Sequence, residues 1–268
     1  MTFCNISLIR KTILFSAAAM LSVSAMAVDI NQTIRLANQG EAEAQYNLWL
    51  MYYDGEGLYQ DYAKAEEWLQ RSANQGFAKA QHNLGVMYYE GKSVRQDYTK
   101  AKQWFEKAAN QGIAGAQSNL GLMYYDGKGV RQDYTKAKQW FEKAADQGAA
   151  EAQSNLGLMY YEGKGVRQDY VKAKQWFEKA ADQGAAGAQS NLGVLYYEGK
   201  SVRQDYTKAK QWFEKAANQG VADAQFNLGV MYGQGKGVRQ DYAKAKEWVG
   251  ESCDNGLKKG CDAYRILN

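Results

Sequence analysis

The chain has 268 residues, with 33 Lys and Arg against 29 Asp and Glu, one histidine and no proline. The charges are interleaved, and without Arg10 and Lys11 the basic count falls to 31, which argues against a dedicated nucleic-acid surface or a polybasic membrane patch. One histidine with no cysteine or second histidine near it in sequence leaves no metal site, and no cofactor is expected.

In chain order, Arg10 and Lys11 form a positive start, Thr12 to Val23 is apolar and small, and Ala25-Met26-Ala27 places small residues two apart. This pattern predicts a secretory signal peptide over residues 1–27, cut after Ala27, and hence a periplasmic or secreted protein. The apolar run is shorter than the ~20 residues a spanning helix requires, and no later stretch reaches that length. Residues 28–41 read as a half unit, because Thr33 to Gly40 aligns with Leu69 to Gly76.

From there the chain repeats. Trp68, Trp104, Trp140, Trp176, Trp212 and Trp248 are each 36 apart, and so are Asn47, Asn83, Asn119, Asn155, Asn191 and Asn227. The period defines units 42–77, 78–113, 114–149, 150–185, 186–221 and 222–257, then a cap helix over 258–268. The expectation is one repeat domain over residues 28–268. Within a unit, Ala116, Leu120, Met123 and Tyr124 lie on one helical face, and Tyr134, Ala137, Trp140, Phe141, Ala144 and Ala145 on another. Between them Gly127 and Gly129 turn the chain, Asp133 is placed to cap the second helix, and Gly148 closes it. Gly85, Gly121, Gly157, Gly193 and Gly229 fall mid-helix, where glycine costs ~1 kcal/mol relative to alanine. Five in one register need a packing reason, and close helix approach supplies it. The fold class is therefore an all-α solenoid of about six helix-turn-helix repeats.

The run A-x-A-Q-x-N-L-G-x-M-Y-Y-x-G-x-G-V, followed by D-Y-x-K-A-x-x-W-x-x-x-A-A-x-Q-G, resembles the Sel-one-like repeat, a relative of the tetratricopeptide repeat. The resemblance covers nearly all of residues 28–268, six times over. It implies a right-handed α-α superhelix, often exported in bacteria, that acts as an adaptor for proteins or peptides. The chain departs from the tetratricopeptide pattern in its 36-residue period, its longer glycine loop and its lack of proline.

At the ends the pattern changes. Trp49 holds the register of the mid-helix glycines. It is expected to cover core that the missing preceding helix would have covered, with a tolerated surface tryptophan as the alternative. Cys253 and Cys261 straddle Asp254-Asn255-Gly256, which puts their thiols on facing ends of two antiparallel helices as a disulfide pair. A pair with this spacing also resembles the cysteine-rich secreted branch of the family, where it recurs in every unit.

No catalytic residue is identified. His82 is not repeated and reads as a surface residue. Some cysteine-rich relatives imply a cell-wall or β-lactam hydrolase, but S-x-x-K, S-D-N and K-T-G are all missing from this sequence. The GKGVRQD and GKSVRQD loops follow helices rather than strands, so they read as turns and not as phosphate loops.

The units are near copies, so their differences mark a surface. Registers 79, 82, 86 and 90 share one stripe of the first helix. The first register holds Glu43, Lys79, Gly115, Glu151, Gly187 and Asp223. The second holds Tyr46, His82, Ser118, Ser154, Ser190 and Phe226. The third is aliphatic, with Leu122 and Leu158 at its centre, and the fourth is mostly acidic. In solenoids of this class the first helices line the concave face. The candidate peptide-binding residues are thus Asn83, Asn119, Asn155, Asn191 and Asn227 with Ser118, Ser154, Ser190, Leu122 and Leu158. The asparagines could hold an extended peptide backbone, or could instead bond inside the solenoid. The overall expectation is a monomeric, non-enzymatic, exported scaffold with a protein or peptide partner, with a secreted host-interaction factor as the other non-enzymatic alternative.

Overall fold

A computed structural model describes residues 30–267. The expected signal peptide, with its cut after Ala27, lies outside the described residues, as do Val28, Asp29 and Asn268. The described residues hold fourteen helices and no strand, in two compact units. The first unit, ending at Gln147, contains α1 (Ile30–Asn38), α2 (Ala42–Asp54), α3 (Tyr62–Asn74), α4 (Ala78–Glu90), α5 (Tyr98–Asn110), α6 (Ala114–Asp126) and α7 (Tyr134–Asp146). The second, from Gly148, contains α8 (Ala150–Glu162), α9 (Tyr170–Asp182), α10 (Ala186–Glu198), α11 (Tyr206–Ala217), α12 (Ala222–Gln234), α13 (Tyr242–Asp254) and α14 (Lys258–Ile266).

The helix ends follow from residue chemistry. Each second helix starts at an aspartate whose carboxylate accepts from the backbone N–H three residues on, as Asp133 does from Lys136 at 3.0 Å. Such a cap is worth about 1 kcal/mol. Each first helix of the six repeats ends at a left-handed glycine, such as Gly127 at φ 71°.

Within each unit, a repeat's two helices pack antiparallel, and the next first helix lies on the second helix. One resulting core joins Val86, Ala101, Phe105, Ala108, Ala116, Leu120 and Met123, from α4, α5 and α6. Its counterpart joins Val194, Ala209, Phe213, Ala216, Ala224, Leu228 and Met231, from α10, α11 and α12. The mid-helix glycines are set by the phenylalanines. A Cβ added at Gly121 would sit 2.5 Å from the Phe141 ring, and at Gly85, Gly157 or Gly193 2.6 Å from Phe105, Phe177 or Phe213. The ring presses against bare backbone, and its burial returns about 1.5–3 kcal/mol, more than the glycine costs.

The first repeat inverts this pair. Trp49 is fully buried, so it is not a surface tryptophan. Its register faces the second helix of its own hairpin, and there Leu69 replaces phenylalanine. A large residue on α2 and a smaller one on α3 fill the space that glycine and phenylalanine fill elsewhere. This size exchange accounts for a tryptophan at the glycine register.

The tryptophans that mark the period are half-buried on the second helices, and all but Trp248 lie under a cation three residues on. Lys107 lies 4.0 Å from the Trp104 ring centre and Lys143 4.3 Å from that of Trp140. Lys102–Glu106 (2.7 Å) and Lys138–Glu142 (2.6 Å) are exposed-edge pairs worth about 0.3–0.5 kcal/mol each.

Two glutamines per repeat form a relay that the sequence reading did not single out. Gln81 Nε2 donates to the Ala73 carbonyl in the last turn of α3 (3.2 Å), and Gln81 Oε1 accepts from Gln111 Nε2 at the end of α5 (2.7 Å). Gln45 with Gln75, and Gln117 with Gln147, repeat the arrangement in the first unit, and Gln189 with Gln219 in the second. The relay satisfies carbonyls that a helix C-terminus leaves open. Its signal was visible as the glutamine of A-x-A-Q, present in all six repeats, and that of N/D-Q-G, present in the first five.

Candidate partner-binding surface

All ten candidate peptide-binding residues lie on first helices, α4, α6, α8, α10 and α12. Asn119, Asn155, Asn191 and Asn227 are buried, as are Ser118, Ser154, Ser190, Leu122 and Leu158, while Asn83 is half-buried. In the first unit two asparagines reach back one repeat. Asn83 Nδ2 donates to the Tyr46 hydroxyl at 3.0 Å, and Asn119 Nδ2 lies 3.1 Å from His82 Nε2. The asparagine register thus meets the second variable register of the preceding first helix, and both belong to one repeat junction. The exposed members of the stripe are Glu43, Lys79 and Gly115 in its first register and Asp54, Glu162 and Gln234 in its fourth.

His82 is not the surface residue that the sequence suggests. It packs 5.9 Å from the Phe105 ring centre and fills the space beside Gly115. Burial holds its pKa down to about 4 from 6.5, so the neutral ring accepts from Asn119 through Nε2. Between pH 6.5 and about 4 the unfolded chain binds this proton and the folded chain does not. Stability is therefore full above pH 6.5 and falls by about 1.4 kcal/mol per pH unit below it, roughly 3 kcal/mol in all. His82→Ser, the residue of the three central repeats, is expected to remove this slope. Urea titrations above and inside the window check it, and an unchanged slope in the variant would exclude His82 as its source.

Two acids of the first register are partly withdrawn from water. Burial raises the pKa of Glu151, and raises that of Asp223 against the opposing charge of Lys259 at 3.4 Å. The loop lysines that a phosphate site would need are occupied elsewhere. Lys200 Nζ donates to the Tyr161 hydroxyl at 2.6 Å and pairs with Glu198 at 3.0 Å, and Lys236 Nζ donates to the Tyr197 hydroxyl at 2.8 Å. The GKSVRQD loop at Lys200 and the GKGVRQD loop at Lys236 each tie their repeat to the one before.

The helical repeat has a family match at each full unit. The Sel1 repeat model matches residues 42–77, 78–113, 114–148, 150–184, 186–221 and 222–257. The chain belongs to the Sel1 repeat family. Among solved structures, this Sel1 repeat chain is similar to c5321, a protective antigen present in uropathogenic Escherichia coli strains displaying an SLR fold. That likeness has 37% identity and a TM-score of 0.76, over 90% of this chain and 51% of the antigen. The chain thus spans about half the length of the antigen. It is also similar to a Sel1 repeat protein from Oxalobacter formigenes, with 28% identity and a TM-score of 0.76 over 83% of this chain and 96% of that one. No curated protein is significantly similar to the chain. The family assignment makes the chain a Sel1 solenoid scaffold, of a kind that generally mediates protein interaction. Cys253 and Cys261 form a disulfide between α13 and α14, with Cα atoms 4.5 Å apart. No described helix is long and apolar enough to cross a membrane.

Proposed function

We propose that this chain is an exported, non-catalytic scaffold that holds a protein or peptide partner along the first-helix face of its repeats. The observation that carries the reading is the variation of one first-helix stripe in repeats that are otherwise near copies. Selection for the fold alone would hold or release the same registers in every unit, whereas the exposed first register changes from Glu43 to Lys79 to Gly115. Export rests on the N-terminal pattern of residues 1–27 and on the Cys253–Cys261 bond, which persists in oxidising compartments.

The test is a triple change, Asn119→Ala, Asn155→Ala and Asn191→Ala, measured for both melting temperature and affinity toward a partner recovered by affinity capture. If the asparagines grip a peptide backbone, affinity falls tenfold or more, since each neutral hydrogen bond contributes about 0.5–1.5 kcal/mol. Unchanged affinity with a sharp loss of melting temperature would reject the asparagine row as a binding element and leave it a repeat-junction bond. A second reading, a secreted host-interaction factor, is favoured by the 37% identity to a protective antigen. Recovery of the chain in the culture medium rather than the periplasm separates it from the first.

A further inference from the structure

The glutamine relay ends differently in the last repeat. Gln75, Gln111, Gln147, Gln183 and Gln219 precede the glycine that closes the second helix, but in the last repeat that place belongs to Asn255, before Gly256. Asn255-Gly256 is the one Asn-Gly pair in the sequence. Asn255 is exposed at the C-cap of α13, and its Nδ2 donates to Gln225 Oε1 at 3.0 Å. The Gly256 N–H donates to the Cys253 carbonyl at 2.8 Å. Both residues lie inside the loop closed by Cys253 and Cys261.

We propose that Asn255 is a deamidation site, gated by the Cys253–Cys261 bond, whose conversion loosens the C-terminal cap. The backbone nitrogen of Gly256 attacks the side-chain Cγ of Asn255. The N–Cγ bond forms, the Cγ–Nδ2 bond breaks, and ammonia leaves with the amide proton. Solvent water then opens the succinimide at either carbonyl, giving aspartate or isoaspartate. Glycine favours the attack because no Cβ blocks the approach to its nitrogen. Glutamine at this register would need a larger, slower-closing ring, so the other five repeats are spared.

Two bonds oppose the reaction in the closed cap. The attacking nitrogen is tied through its hydrogen to Cys253, and the side-chain amide is held toward Gln225 and away from the backbone. Attack needs a local opening that breaks both, and the disulfide restrains that opening by holding Cys253 to α14. After conversion the relay fails. A carboxylate would face Gln225 Oε1, which can only accept, while Gln225 Nε2 is already given to Glu251 at 3.1 Å. Isoaspartate also adds a carbon to the backbone of the turn that seats α14.

The test incubates the purified chain at mildly alkaline pH, once with the disulfide intact and once reduced and alkylated. Peptide mapping follows amide-to-acid conversion at each asparagine, with isoaspartate scored enzymatically. Asn255 is expected to convert before the other described asparagines in both samples, and severalfold faster in the reduced one. Asn255→Gln, which restores the register residue, should abolish conversion at the site. Hydrogen exchange over residues 242–267 should rise in the converted protein and stay low in Asn255→Gln through the same incubation. Conversion of Asn255 no faster than of Asn74, Asn110 or Asn218, or a rate indifferent to reduction, overturns the gated site. Unchanged exchange after full conversion overturns the loosening.

Discussion

Gly121→Trp is expected to destabilise the repeat that carries it by more than about 3 kcal/mol, and the same change with Phe141→Leu to recover most of that loss. A Cβ at Gly121 already stands 2.5 Å from the Phe141 ring, so an indole has no room without expelling the phenyl group. Overpacking by even a few methylenes costs about 1–3 kcal/mol, and an indole exceeds that. Gly121→Ala is the milder control. Its Cβ would stand 2.5 Å from the fully buried Phe141 ring, and overpacking of about 1–3 kcal/mol outweighs the ~1 kcal/mol that alanine gains over glycine in a helix, so a smaller net loss is expected. The rescue copies the first repeat, where Trp49 and Leu69 are both fully buried. Urea denaturation of the two single variants and the double variant gives the coupling directly. A double variant no more stable than Gly121→Trp alone would show that Trp49 is accommodated by something other than Leu69.

Cys253→Ser with Cys261→Ser is expected to cost roughly 2–3 kcal/mol, lost from the C-terminal end alone. The disulfide closes a loop with a sequence separation of 8, and the chain-entropy relation gives that magnitude for so short a closure. Solenoid stability is a sum of repeat and junction terms, so the loss should stay in α13 and α14. The described core of α14 is thin: Gly260 is its buried residue, and Ile266 is 84% exposed. Hydrogen exchange should rise over residues 242–267 first and leave α4 to α6 unchanged. A uniform rise across all repeats would contradict local stability, and no rise anywhere would show that the bond is not needed to hold the cap.

Most of the fold was legible because a repeat reports each packing constraint six times. The helical periods, the Asp133 cap and the positive-φ glycines are local, and each is decided within a few residues. The mid-helix glycines were legible as a demand for close approach, although not which ring made it. Trp140 and Phe141 are adjacent and both aromatic, and periodicity alone does not say which is core. Phe141 is fully buried, whereas Trp140 is half-buried beneath Lys143. The Leu69 exchange opposite Trp49 could have been read from the register, but only once that register was known to face the second helix of its own hairpin.

The candidate surface was less legible. Variable registers identify a stripe, but variation does not tell a solvent-facing position from one that pairs with a variable neighbour. Asn83 with Tyr46, and Asn119 with His82, are pairs whose members stand 37 residues apart, so their chemistry depends on how one first helix settles on the next. The same distance in sequence hid the low pKa of His82, which follows from burial and from no local motif.

The sequence by itself determined the repeat, its helix boundaries and the family, because these rest on periodicity, caps and turns that act over a few residues and recur. Tertiary structure alone decided which polar side chains are bound within the molecule and which face solvent. A hydroxyl or an amide is satisfied by whatever the next helix brings within about 3 Å, and helix packing sets that distance.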